Sequence, residues 1–127
     1  MTISRFSLAF SVLAGAACAQ GVTTPSGQEV TLFDVRVEDA GVVRFRFLAP
    51  AIDPAGQGLV FDDVAGDFGW LCETVALPAL AQSGRPAQQV VISLSDREVA
   101  FGQAAPEATQ FFEAYALDGS TCIWQAF

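Results

Sequence analysis

Two cysteines restrict this chain more than any other feature. Cys72 and Cys122 stand fifty positions apart, and the third cysteine, Cys18, lies just past an apolar N-terminal run. That run, residues 6–17, follows Arg5 and leads into small residues. A basic start, an apolar centre and a small-residue exit are the order of parts in an export signal. Its twelve residues fall short of the roughly 20 that a helix needs to cross a bilayer. The competing reading is a buried N-terminal core helix.

Two processing routes are open. Ala17-Cys18-Ala19 fits the small-x-small rule, with cleavage between Ala19 and Gln20 and a single globular domain over residues 20–127. Gly15-Ala16-Ala17-Cys18 is a loose lipobox that lacks the usual leucine and would leave a lipid-anchored Cys18. The soluble product is the preferred reading, periplasmic or secreted; contact with a membrane is expected only through a lipidated Cys18.

Either route delivers Cys72 and Cys122 to an oxidising space, where two cysteines in a small exported domain are expected to pair. A bridge closing a loop of this length stabilises by about 4 kcal/mol in the chain-entropy account. That is a large share of the roughly 5–15 kcal/mol of a small domain. A redox-active or metal-binding thiol is the alternative, but the chain has no C-x-x-C and no histidine.

Charge and residue usage exclude further classes. From Gln20 onward the chain holds five arginines against fourteen acids, and the whole sequence carries a net charge of −8. Nothing could neutralise a row of phosphates, so nucleic acid is not an expected partner. A chain without histidine or lysine has no Ser-His-Asp triad, no Cys-His pair, no Schiff base and no histidine-bound metal. No cofactor motif is present either. Half of the residues are apolar (52%), which suits one folded core rather than a disordered chain.

Alternation places the elements. Residues 29–38 and 42–48 alternate with a period of two, Phe33, Val35 and Val37 on one side and Asp34, Arg36 and Glu38 on the other. Val43, Phe45 and Phe47 repeat the inward set, and Arg44 and Arg46 the outward one. Asp39-Ala40-Gly41 suits a three-residue hairpin loop that pairs Val35 with Phe45 and Asp34 with Arg46. The outward face then reads as a solvated ladder of opposite charges. A loop over 50–58 precedes a helix from about Asp63 to Leu77, with Val64, Phe68, Leu71, Cys72 and Val75 on one stripe and Pro78 as its stop. Asp62 or Asp63 caps its start. A strand follows at 89–95, a short one at 98–101, and a last hairpin over 110–117 and 120–127 about an Asp118-Gly119 turn. In that hairpin Glu113 faces Trp124. Pairing of Cys122 with a helical cysteine turns the Phe111, Glu113, Tyr115 and Trp124 face toward the helix. The expected fold is α+β: an antiparallel sheet of five or six strands, one helix packed across it, and one helix-to-strand disulfide.

Gln28-Glu-Val-Thr-Leu-Phe-Asp34, Arg46-Phe-Leu-Ala-Pro-Ala-Ile52, Leu71-Cys-Glu-Thr-Val-Ala-Leu-Pro78, Val91-Ile-Ser-Leu-Ser-Asp-Arg97, Thr109-Gln-Phe-Phe-Glu-Ala-Tyr115 and the closing Cys122-Ile-Trp124 resemble a family of short exported bacterial proteins of unknown function. The resemblance covers nearly the whole chain after the leader and implies a periplasmic domain with no catalytic residues to carry over. Relatives of this kind sometimes bear the label acetolactate synthase. That reaction needs a thiamine diphosphate site and a much longer cytoplasmic chain, and this sequence supports neither.

Four groups are candidate sites. Glu113 is the one carboxylate that the register turns toward the helix beside an aromatic pair, where burial would raise its pKa; a place at the sheet edge or a pairing with arginine is the plainer reading. Asp62, Asp63 and Asp67 could gather a hard cation, but helix capping already accounts for them. Ser93, Ser95, Asp96 and Arg97 read as a turn held by side-chain contacts. Trp70, opposite the helix stripe, and Phe112, Ile123 and Phe127, on the outer side of the last hairpin, form a candidate surface for an envelope protein partner unless the chain itself covers them. The sequence therefore favours a binding or accessory module, with a small carboxylate-dependent hydrolase or isomerase, or a purely structural envelope protein, as alternatives. It does not fix the oligomeric state.

Overall fold

The computed structural model describes residues 21–126. Residues 1–20 and Phe127 lie outside the described set, and with them the expected leader, the expected Ala19–Gln20 cleavage point and Cys18. Six strands form one sheet in chain order: β1 (Gly21–Thr23), β2 (Glu29–Val37), β3 (Val42–Leu48), β4 (Gln89–Ser95), β5 (Gln110–Asp118) and β6 (Thr121–Gln125). Between β3 and β4 run α1 (Phe61–Leu71), a π-turn (Cys72–Ala76) and α2 (Leu77–Ser83), which continue as one helix. The α+β layout with one helix on one sheet is as the sequence predicts.

The β2–β3 register follows the sequence pattern: Asp34 faces Arg46, Val35 faces Phe45 and Arg36 faces Arg44. One residue departs from it. A bulge between Leu32 and Asp34 leaves Phe33 as an extra residue, and its ring lies against Arg46 on the outer face instead of pointing into the core. Val30 takes the inward place near the start of β2. Val35 and Val37 share the helix-facing side with Phe45 and Val43 yet remain 44% and 56% exposed. The reason is reach: the helix packs over β4, β5 and β6 and leaves the far end of β2 uncovered.

Four of the five strand pairings are antiparallel, and β3–β4 is parallel. The sheet is therefore mixed. The helix causes this, because it carries the chain back along the sheet before β4 begins, as a crossover connection must.

The helix also outruns the length expected from Pro78. It starts two residues earlier, at Phe61, where the Asp63 carboxylate accepts the Val60 N–H at 2.9 Å. It then passes through Pro78 and ends at Ser83. In the π-turn Leu77 N–H reaches back five residues to the Cys72 carbonyl. That wider ring displaces the carbonyl that a proline ring strikes in a regular helix. Termination falls to Gly84, at φ 64, with N–H bonds to Ala81 and Leu80 carbonyls.

The core lies between helix and sheet. Val64, Phe68, Leu71 and Cys72 meet Val43, Phe45, Phe47, Val90, Ile92 and Leu94, all nearly solvent-free. Trp70 is half-buried and packs on the margin of this core rather than standing opposite it. Cys72 and Cys122 form a disulfide with Cα atoms 6.3 Å apart, which fastens the π-turn to the edge strand β6. Such a bridge fits an oxidising, non-cytoplasmic environment.

The last hairpin turns one residue later than expected. Asp118 pairs with Thr121, so Gly119 and Ser120 form the turn, and Trp124 faces Tyr115 rather than Glu113. Gly119 has φ 61, the sign that a type II′ turn requires at its first central position. The partners move by two residues, so every paired side chain among the described residues keeps its expected face. The expected strand at 98–101 is absent. Residues 96–109 form an irregular loop whose ends are joined by the bond from Asp96 N–H to the Thr109 carbonyl at 3.0 Å.

No helix among the described residues is long and apolar enough to cross a membrane.

Candidate binding cleft on the outer sheet face

The helix covers one side of the sheet. The register sets out what the other side presents. One row across the strands holds Asp34, Arg46, Ser93 and Phe112, and the next holds Arg36, Arg44, Val91, Ala114 and Gln125. A third row runs Val42, Gln89, Ala116 and Ile123. The small residues on β5 leave room for Gln89 to donate across them to Gln125 at 2.7 Å.

The 96–109 loop folds over this face. Arg46 is its anchor and is itself 7% exposed. Its guanidinium donates to Asp34 at 2.6 Å and to the Val99 carbonyl, and lies 4.9 Å from the Phe33 ring centre and 5.5 Å from that of Phe101. Arg36 holds Phe101 from another side, at 5.1 Å, and donates to the same Asp34 at 2.8 Å. Stacking of guanidinium on aromatic faces adds attraction to each salt bridge. Burial disfavours the charge on Asp34, but hydrogen bonds from Arg46 and Arg36 and their positive charges hold its carboxyl below the ordinary value. Arg44 pairs with Glu38 at 3.0 Å. The opposite charges expected on this face are therefore paired, Asp34 directly across from Arg46 and Glu38 diagonal to Arg44, but the ladder is not solvated throughout, because the loop buries Arg46.

Between loop and sheet lies a cleft of about 280 Å³. Arg44, Arg46 and Ser93 line its sheet side, Phe101 and Gln103 its loop side, and Gln110 and Phe112 its β5 side. Phe101, Phe112 and Ile123 are 41%, 52% and 48% exposed on this surface. Sequence reasoning pointed to Phe112 and Ile123 but missed Phe101 and the roofing loop. The available hint was Arg46, a cation expected to point outward from the middle of a sheet, where something must cover or pair it.

The other predicted positions lie elsewhere. Glu113 is on the helix side of β5, where its carboxylate accepts the Trp124 indole N–H, and it does not line the cleft. Ser95 donates to the Arg97 carbonyl at 2.6 Å, and Asp96 pairs with Arg97 at 3.1 Å, so these three form the expected self-bonded turn, whereas Ser93, grouped with them in the sequence, lines the cleft instead. Asp62 and Asp63 are exposed at the helix start, whereas Asp67 is 1% exposed and turned toward the β1–β2 turn. There it accepts from Thr24 Oγ1 (2.7 Å), Ser26 N (2.9 Å), Ser26 Oγ (2.6 Å) and Gln28 Nε2 (2.9 Å). The three aspartates do not converge, and no group of three potential metal ligands occurs among the described residues. Phe127 and Cys18 are outside the described residues.

Fold and cleft together define a small α+β domain with a disulfide-fixed helix on one sheet face and an arginine–aromatic cleft on the other. Over residues 8–127 the chain matches the family described as "Family of unknown function (DUF6497)", and it belongs to that family. No curated protein and no solved structure matches it.

Proposed function

We propose that this protein is an exported binding or accessory module that engages an envelope protein through the outer face of its sheet. The observation that carries the reading is the simultaneous exposure of Phe101, Phe112 and Ile123 on one face, beside a cleft. Large apolar side chains gathered on an open surface mark contact sites more often than isolated ones do. The periplasm is the expected location, in keeping with the Cys72–Cys122 bridge and the basic-apolar-small leader. Cleavage before Gln20 gives the soluble form; mass spectrometry of the mature N-terminus reads this directly, and a diacylated Cys18 would replace it with a lipid-anchored form.

The functional test compares two tagged proteins in one envelope extract, the wild type and the Phe112→Ser, Ile123→Ser double variant. The reading predicts a protein retained by the first and lost by the second. Equal retention by both, or recovery of the bait alone, contradicts it.

A further inference from the structure

We infer that the outer-face cleft receives a carboxylate borne on an apolar group, with the carboxylate at Arg44 and the apolar part between Phe101 and Phe112. The inference rests on the outer face being the working surface and names the chemistry that it recognises.

The charge distribution is the first argument. The chain has a net charge of −8 and fourteen acids, yet among the described residues no acid lines this cleft. Among the described residues, Arg36, Arg44 and Arg46 form salt bridges on this face only with Asp34 and Glu38, and Asp39 lines the hollow on the other side of Arg44. The cleft itself thus presents two arginines and, among the described residues, no lining acid on an otherwise acidic molecule. An anion is drawn to this region and repelled from most of the remaining surface.

The two lining arginines differ in what they can still do. Arg46 is buried and committed to Asp34, to Val99 and to two aromatic rings. Arg44 keeps 27% of its side chain exposed and borders both this cleft and the adjoining hollow beside Val37. Its bond to Glu38 runs through Nε and engages one of the five N–H donors of a guanidinium. That contact also orients the plane. The planar fork of an oriented guanidinium fits the two oxygens of a carboxylate.

The remaining walls suit the rest of such a ligand. Ser93, Gln103 and Gln110 supply neutral hydrogen-bonding groups. Phe101 is fixed by two guanidiniums and stands ready as an apolar wall without further ordering. The volume of about 280 Å³ admits a small molecule or the end of a chain, not an extended segment. A free apolar acid and the C-terminal residue of a polypeptide share this chemistry.

Calorimetry and amide-resonance mapping on the purified, oxidised protein test the inference with four probes: 3-phenylpropionate, its neutral amide, the peptide Gly-Gly-Phe, and that peptide as its C-terminal amide. Each acid is expected to bind at least tenfold more tightly than its amide and to shift the resonances of Arg44, Ser93 and Gln103. Arg44→Gln should erase the difference between acid and amide, and Glu38→Gln should tighten both acids. Binding of the peptide acid points to a chain terminus as the source; binding of phenylpropionate alone points to a free acid. Equal binding of acid and amide, or no binding by a protein whose spectrum shows it folded, overturns the inference. If the wild type still retains an envelope protein that the Phe112→Ser, Ile123→Ser variant loses, the docking face stands while the carboxylate site falls.

Discussion

Asp67 is an ionised group in an almost solvent-free place, without a cation beside it among the described residues. Burial opposes its charge, but hydrogen bonds from Ser26, Gln28 and Thr24 outweigh that cost and hold its carboxyl below the ordinary 3.8. A depressed folded-state pKa contributes stability that is present above the unfolded value and lost as pH falls through the folded one. Acid unfolding should therefore steepen below about pH 4, and Asp67→Asn should remove that part of the pH dependence. Asp67→Ala leaves several donors without a partner and should cost about 3 kcal/mol in a urea melt. Tyr115 shows the opposite sign. Burial, and then the negative charge of Glu113, push its hydroxyl up from 10.0 to about 12. Its contribution is present below pH 10 and lost as pH rises toward 12. It is the only tyrosine, so tyrosinate absorbance reports it alone. The folded protein should titrate near 12 and the urea-unfolded chain near 10. A folded-state midpoint near 10 would contradict the burial described here. Residue-scale roles of this kind are hard to read from sequence. Asp67 presents itself as an acid at a helix N-terminus, and nothing local announces that Thr24, Ser26 and Gln28 come from forty residues away.

The elements were more legible. Period-two alternation and a short loop place β2 against β3 in register, because a slip of one residue would turn Phe45 and Phe47 to the outer face. The Phe33 bulge escapes the same logic, since an alternating pattern carries no mark of an inserted residue. The β5–β6 turn is missed by one position because Gly119 can serve as either central residue, yet the faces survive because the period is two. Pro78 misleads for a different reason: its stop rule assumes regular α-helical bonding, and the π-turn before it changes that bonding. A substitution probes the helix. Gly66 lies on its exposed side, and a Cβ there meets nothing within 4 Å. Gly66→Ala should raise stability by about 0.5–1 kcal/mol, read as a higher denaturant midpoint with unchanged slope. A lower midpoint would mean that the helix is not continuous through this position.

For the whole molecule, the disulfide and the crossover decide which face is free. The sequence indicates the pairing of Cys72 with Cys122 and so the helix side of the last hairpin. It does not reveal the parallel β3–β4 pair, because strand direction is set by the long connection and not by any local pattern. It does not reveal the cleft either, because the 96–109 loop that roofs it lacks periodicity and is held by Arg46 from a distant strand. The Cys72→Ser, Cys122→Ser double variant should lose about 4 kcal/mol, the loop-closure term for fifty residues, with the midpoint falling equally in the reduced wild type. The helix then still covers β4–β6, but the edge strand β6, with Ile123 and Trp124, loses its covalent tie.

The proposed docking role stands or falls with the outer sheet face as the place where a partner binds. Site-specific photocrosslinking in living cells decides this, with one photoreactive residue at a time in place of Ile123, Phe101 or Gln82, the last exposed on the helix. A common adduct from positions 123 and 101, and none from position 82, is the expected result. An adduct from position 82 alone, or none from the outer face, would contradict it.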